Sequence, residues 1–148
     1  MVKSLVLVCS LIGFCFAGSD SLPDPKLTPG DTIPGAGAKI CTPGYAGSVR
    51  HVSGSTKHKV YEEYGITEHK PAEFEIDHCI SLELGGSNSL KNLWPQSYMT
   101  EPWNAHKKDA LENKLHQMVC SGQISLYQAQ YEISHDWIKA YKLYVGNK

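Results

Sequence analysis

Two long segments in the C-terminal part of the chain place apolar residues at helical spacing. The first runs from about Trp103 to Ser121 and stops at Gly122, with Thr100 or Glu101 expected near its cap. The second runs from about Leu126 to Val145, and the capping-box spacing of Ser125 and Gln128 supports its start. Both segments are predicted to be amphipathic α-helices.

Shorter elements are predicted before these helices. The stretch "STKHKVYEEYG", which ends at Gly65, has the start and stop residues of a short helix. The stretch "AEFEIDHCISLEL" alternates apolar and polar residues and predicts a strand that runs into a loop, with Gly85 and Gly86 at the bend. "LKNLWP" predicts a second short strand that Pro95 would end. The order of strand, loop, strand and helix in 148 residues predicts a single α+β domain.

The N-terminal 17 residues have the pattern of a secretory signal peptide. Lys3 precedes an apolar stretch, and Ala17 and Gly18 provide small residues for cleavage. A membrane-spanning start is the less favoured alternative because the apolar run is short. We therefore expect a secreted or periplasmic protein that has no membrane contact after cleavage.

Residues 18–38 are rich in Pro, Gly, Asp and Thr and show no apolar periodicity, which predicts a flexible spacer. The folded domain would then comprise residues 39–148. The full chain has 14 basic and 15 acidic side chains, and loss of Lys3 would change its formal charge from −1 to −2. Such a balance argues against a strongly basic footprint over the whole molecule.

Three cysteines would remain after signal cleavage. Cys41 and Cys120 lie in turn-like settings and are predicted to form a disulfide, which an oxidising compartment permits. Cys79 lies inside the strand pattern and is predicted to be a buried free thiol. The chain has no CxxC pair, which argues against a cysteine-ligated zinc knuckle.

The pair Asp77 and His78 lies where the first predicted strand ends. A carboxylate suits a Mg²⁺-type ion, and an imidazole that does not bind the metal can take a proton from water. Adjacent strand residues point to opposite faces, so the two side chains can divide these tasks. The following helix offers Asn104 or His106 as a further ligand. Asn104 projects onto the apolar stripe around Leu111, whereas His106 lies about 160° away, so Asn104 is preferred and His106 is the alternative.

The spacing of Asp77-His78, Gly85-Gly86 and Asn92-Leu93 resembles that of the HNH endonucleases, whose fold is the ββα-metal fold. The match covers residues 73–108, about a quarter of the chain. Longer strings, such as "NLWPQ" and "WNAHKKDALENKLH", are also similar to small exported HNH proteins. The resemblance implies an α+β domain with a ββα-metal core and additional helices.

Roles for individual residues follow from this resemblance. It implies that His78 is the general base that activates water, that Asp77 is a metal ligand, and that Asn92 braces the loop and orients His78. The third motif position falls on Asn104. The implied cofactor is a divalent metal, with Mg²⁺ preferred and Mn²⁺ or Zn²⁺ as alternatives.

Substrate contacts are expected from basic side chains. Lys107 and Lys108, in the first turns of the helix, could contact a phosphate. Arg50 belongs to a separate basic cluster, for which a solvated face is the default interpretation and a phosphate contact is the alternative. The sequence departs from the family where Ser81 replaces a common proline and Cys79 replaces an aliphatic residue.

The expected function is that of a secreted, metal-dependent endonuclease with low sequence specificity, with DNA favoured over RNA as the substrate. The alternative is a non-catalytic secreted binding or structural module that keeps the ββα frame. DNA binding that weakens steeply with salt would favour the nuclease. No inhibitor or immunity protein is identified from the sequence.

Overall fold

The computed structural model describes residues 21–146, so the predicted signal peptide, residues 1–17, lies outside the described residues. The described chain combines helices with one two-stranded antiparallel sheet, which confirms the α+β class. None of its helices is long and apolar enough to cross a bilayer. In chain order the elements are α1 (Tyr45–Val49), α2 (Gly54–Glu63), β1 (Phe74–His78), β2 (Leu93–Ser97), α3 (Ala105–Cys120) and α4 (Leu126–Tyr144).

The hairpin of β1 and β2 pairs Phe74 with Ser97 at one end and His78 with Leu93 at the other. Pro95 was predicted to end the second strand, but it lies inside β2. A proline is tolerated there because both strands of a two-stranded sheet are edges, where its missing N–H costs no ladder hydrogen bond.

The loop that joins the two strands is compact. It contains two 3₁₀ turns, Leu82–Leu84 and Leu90–Asn92. Gly86 is required by packing, because a Cβ atom at this position would collide with the carbonyl group of Ile80. The loop therefore has a defined shape on which the ends of both strands depend.

The main core lies where α3 and α4 pack on each other and on this loop. The apolar stripes predicted for both helices supply most of it. Its buried members are Ile80, Leu84, Leu111, Leu115, Ala129, Ile133, Trp137, Ala140 and Tyr141. Helix α4 is kinked at Asp136, whose carboxylate accepts a hydrogen bond from the backbone N–H of Lys139. The helix thus begins again at an internal cap after the kink.

Residues 21–38 were expected to belong to a flexible spacer, but they pack against the rest of the domain. Their backbone forms hydrogen bonds with the rest of the domain: the Trp137 indole N–H donates to the Ser21 carbonyl at 2.6 Å, and the Gly30 N–H donates to the Lys91 carbonyl at 2.9 Å. Ala36 is buried within a second small core. The folded domain, predicted to begin near residue 39, therefore includes residues 21–38.

The predicted disulfide between Cys41 and Cys120 is present, with a Cα–Cα distance of 5.6 Å. It ties the segment before α1 to the C-terminal end of α3 across a sequence separation of 79. Cys79 is a buried free thiol, as predicted, and burial raises its pKa to about 11. The thiol is therefore protonated and unreactive at neutral pH.

Reduction of the disulfide should lower the free energy of unfolding by roughly 2–5 kcal/mol, because closing a loop of this length restricts the unfolded chain. Urea denaturation of the oxidised and reduced protein measures the difference. The variant with Cys41→Ser and Cys120→Ser should match the reduced wild type and should not respond to reductant. Equal stability of the oxidised and reduced protein would contradict the prediction.

Candidate functional site

His78 is the last residue of β1, and its ring is hydrogen-bonded to the side-chain amide of Asn88. Its side chain is only 2% exposed, and its Nε2 lies 3.0 Å from Oδ1 of Asn88. The Asn88 Nδ2 group donates to the Val49 carbonyl at 2.8 Å, which fixes the amide with its oxygen toward the imidazole. Neutral His78 therefore carries its proton on Nε2, and Nδ1 is the basic nitrogen. No residue in the range 21–146 donates a hydrogen bond to Nδ1.

The environment of His78 keeps the imidazole neutral. Burial lowers its pKa below 6.5, and this effect outweighs the hydrogen bond to Asn88 and the charge of Asp77, which both raise it. The positive charges of Arg50 and Lys108 lower the pKa further. The residue is thus ready to accept a proton near pH 7.

Asn88 and Arg50 reach this site through the end of α1. Val49 is the last residue of α1, and its carbonyl binds the same amide that binds His78. Arg50 follows directly, and its side chain is exposed yet close enough to affect the pKa of His78. Sequence patterns do not single out Asn88, because its partners are 10 and 39 positions away.

Asn92 braces the loop as expected. The side chain is fully buried, and its Nδ2 group donates to the carbonyls of Ile80 at 3.0 Å and Ser87 at 2.8 Å. Its Oδ1 accepts from the Ile80 N–H at 2.8 Å. These bonds fix the loop backbone, whereas the hydrogen bond that orients the His78 ring comes from Asn88.

A buried ammonium joins α3 to the end of β1. Lys108 is 1% exposed, and its Nζ donates to Oδ2 of Asp77 at 2.7 Å, to the carbonyl of His78 at 2.7 Å and to Oε1 of Glu112 at 2.5 Å. Glu112 also accepts a hydrogen bond from the Ser81 hydroxyl at 2.8 Å. All three N–H donors of the ammonium group are therefore used.

The charges of this group support each other. Burial would lower the pKa of Lys108, but the carboxylates of Asp77 and Glu112 outweigh burial and raise it. Burial raises the pKa of Glu112, and the ammonium only partly offsets this effect. Lys108 is therefore charged throughout the physiological pH range.

These contacts correct the expectation that Lys108 contacts phosphate. The Lys108 ammonium is enclosed by its three acceptors and cannot meet a substrate in this arrangement. Lys107 lies against α4 instead, with its Nζ 3.5 Å from the hydroxyl of Tyr141 and 5.4 Å from the centroid of that ring.

Asn104 was preferred as a metal ligand because it was expected to lie within a regular helix. The structure places it outside that helix. The helix α3 begins at Ala105, and Asn104 is its N-cap, with an extended backbone. Its Oδ1 accepts from the N–H of Lys107 at 3.3 Å, and its Nδ2 group donates to Glu101 at 3.0 Å. A helical projection does not apply to a cap residue. The alternative ligand, His106, is exposed, with its ring centroid 5.2 Å from that of Tyr98.

The predicted ligand pair does not fit a divalent metal as these side chains stand. Asp77 is already paired with an ammonium, and the amide oxygen of Asn104 is used as a helix cap. A different group does bring metal-ligand atoms together: those of Cys41, His116 and Cys120 lie within 4.8 Å of one another. This Cys–His–Cys group could hold a metal ion once the disulfide is reduced, because the thiolate is the ligand form of cysteine. His116 and Cys120 lie four residues apart on α3, but Cys41 is 79 positions before Cys120, so no local motif joins all three.

Several buried polar atoms have no hydrogen-bond partner within residues 21–146. Two of the side chains concerned, Glu75 and Gln96, are direct partners in the hairpin. Sequence reasoning missed both, because neither belongs to the motif. The atoms are Oε1 of Glu75, Oε2 of Glu83, Nε1 of Trp94, and both Oε1 and Nε2 of Gln96.

No family model, curated protein or solved structure matches this chain.

Replacing Lys108 by Met should lower the free energy of unfolding by about 3–5 kcal/mol, because removal of one partner leaves uncompensated buried charge on Asp77 and Glu112. Urea denaturation at neutral pH measures the loss. Lys114→Met, on the same helix, is the matched control and should cost less than about 1 kcal/mol, because Lys114 makes no ion pair among the described residues. Similar losses for the two variants would show that the buried ammonium has no special role.

Proposed function

We propose that the protein is an exported, divalent-cation-dependent endonuclease that hydrolyses phosphodiester bonds, preferring DNA over RNA, with low sequence specificity. The observation that carries the proposal is the state of His78. Its ring is neutral at pH 7 and held in one tautomer by Asn88, with Nδ1 left as a base. A general base for water needs both properties.

The order of elements around His78 supports the same proposal. A hairpin is followed by a helix that packs against it, and Asp77-His78 closes the first strand. Asn92 fixes the loop between the strands. The positions of Asp77, His78 and Asn92 resemble those of the HNH motif, whereas Asn104, at the helix position, acts as a cap.

In the proposed reaction, Nδ1 of His78 takes a proton from a water molecule, which attacks the phosphorus atom. The resulting imidazolium keeps its Nε2–H bond to Oδ1 of Asn88, so the ring holds its orientation during proton transfer. The charge of the exposed Arg50 side chain acts on His78, and Arg50 is the proposed phosphate contact. A bound divalent cation would neutralise charge on the phosphate and on the departing oxygen.

One observation favours the second candidate function, a non-catalytic binding module. His78 is 2% exposed, and Asp77 is already paired with Lys108, so both groups also suit a purely structural role. The two functions differ in whether the folded protein cleaves nucleic acid.

Cleavage of supercoiled plasmid by the purified protein should require Mg²⁺ or Mn²⁺ and stop with EDTA. His78→Ala should reduce the rate by about 10²–10⁴-fold, the usual contribution of a general base. His135→Ala is the matched control, because His135 is an exposed histidine whose ring stacks on Tyr131. If the folded wild type leaves both plasmid and RNA intact with every divalent metal, the binding module replaces the nuclease.

The pH dependence of cleavage gives an independent check. A base works in its unprotonated form, and burial lowers the pKa of His78 from 6.5. Activity should therefore persist as the pH falls through 6.5 and be lost only at the lower pKa. The quantity to measure is kcat/KM between about pH 4 and pH 8, beside an NMR titration of the His78 ring. An acid limb above 6.5 would contradict the assignment of His78 as the base.

A further inference from the structure

Glu75 and Gln96 face each other across the hairpin. They are directly opposed in the register of β1 and β2, and the next pair on the same face is Asp77 with Trp94. The Cβ atoms of directly opposed residues lie about 4.5–5.5 Å apart, so both side chains can contact the same small ion or molecule. Asp77 is close enough for its charge to act on Glu75.

The polar atoms of this pair lack partners within the described chain. Gln96 is 1% exposed, and neither its amide oxygen nor its amide nitrogen forms a hydrogen bond. Glu75 uses Oε2 to accept from the Tyr98 hydroxyl at 2.6 Å, while its Oε1 is buried without a partner. An unsatisfied buried polar group costs about 1–3 kcal/mol, and folded proteins rarely tolerate one. These unsatisfied atoms, on two opposed side chains, predict a bound ion or molecule that the described chain does not supply.

The local charge favours a cation over a neutral molecule. The carboxylates of Asp77 and Asp109 lie close enough to Glu75 for their negative charges to act on it. The buried cation nearby, Lys108, already makes ion pairs with Asp77 and Glu112. Arg50 and His106 act on the exposed Asp109, but both are themselves exposed. The carboxylates therefore exceed the buried positive charge on this face.

We propose that this face of the hairpin binds one hard divalent cation of the Mg²⁺ class through Oε1 of Glu75 and Oε1 of Gln96, with water completing the coordination. Carboxylate and amide oxygens are the ligands that such ions prefer, and Mg²⁺ usually keeps several waters beside one or two carboxylates. The oxygens of Glu75, Asp77 and Asp109 do not all lie within 4.8 Å of one another among the described residues, so a cage of three carboxylates does not form.

The inference moves the cation away from the predicted pair of Asp77 and Asn104. It rests on the proposed nuclease function for the role of the ion, which would lie on the hairpin face that carries Asp77, opposite the face to which His78 points. Binding itself needs no substrate and can be measured separately from cleavage. The two proposals can therefore fail independently.

The experiment is a titration of the purified, oxidised protein with Mn²⁺, followed by EPR of the free ion, with Mg²⁺ as competitor. One Mn²⁺ should bind per chain. Glu75→Gln and Gln96→Leu should each weaken binding by about 10-fold or more, since even outer partners of metal ligands contribute about 10–100-fold. Glu83→Gln is the matched control, because Glu83 also has a buried carboxylate oxygen without a partner but lies in the 3₁₀ turn of the loop.

The melting temperature is a second readout, and it also shows whether a variant has lost its fold. Mn²⁺ should raise the melting temperature of the wild type and of Glu83→Gln, but not that of Gln96→Leu. Without any cation, Gln96→Leu should be at least as stable as the wild type, because it replaces an unsatisfied amide with an apolar group.

The outcomes separate the two proposals. Absence of Mn²⁺ binding, or binding equal in all variants, overturns the cation site and leaves an ordered water between Glu75 and Gln96. Binding that depends on both residues, in a protein that cleaves no nucleic acid, upholds the site and overturns the nuclease. Cleavage that requires Mg²⁺ and stops with EDTA, but is unchanged in Glu75→Gln and Gln96→Leu, upholds the nuclease and overturns this cation site.

Discussion

The arrangement of the candidate site depends on the ammonium group of Lys108. It is the point at which α3 meets the end of β1, and it binds a strand carboxylate, a strand carbonyl and a helix carboxylate together. Such a group is held only if all its donors are satisfied, since an isolated buried charge is strongly disfavoured. The geometry of the helix against the hairpin is therefore specified by charge as well as by apolar packing, and the Asp77-His78 pair takes its position from both.

Two asparagines divide the work of shaping the loop. Asn92 binds only backbone groups and determines the path of the chain between the strands. Asn88 binds the His78 ring, the Val49 carbonyl and the His51 N–H, and so links the end of α1 to the imidazole. The two tasks are separate because the partners of Asn92 are backbone groups of the strands and their loops, whereas those of Asn88 lie on His78 and at the end of α1. The loop can thus be rigid while the ring that it presents is oriented from a different part of the domain.

Sequence patterns predicted the elements better than the contacts between them. The long helices, the hairpin and the disulfide follow from periodicity, caps and the number of cysteines, which are local or simple properties. The start of α3 was placed too early because Asn104, rather than Thr100 or Glu101, caps the helix, and this shift invalidated the choice of Asn104 as a ligand. The contacts of Lys108, and the packing of residues 21–38, depend on partners that are distant in sequence. No pattern in a single chain encodes such partners.

The disulfide has a topological consequence for the candidate site. Cys41 and Cys120 enclose, in one covalent ring, α1, α2, both strands, the loop and all of α3, together with Arg50 and His78. A single peptide-bond cleavage anywhere between the two cysteines opens the ring without releasing a fragment. The severed ends remain attached through sulfur, and the remaining contacts can hold them in place. A chain built in this way can survive a protease cut within the region that carries its chemistry.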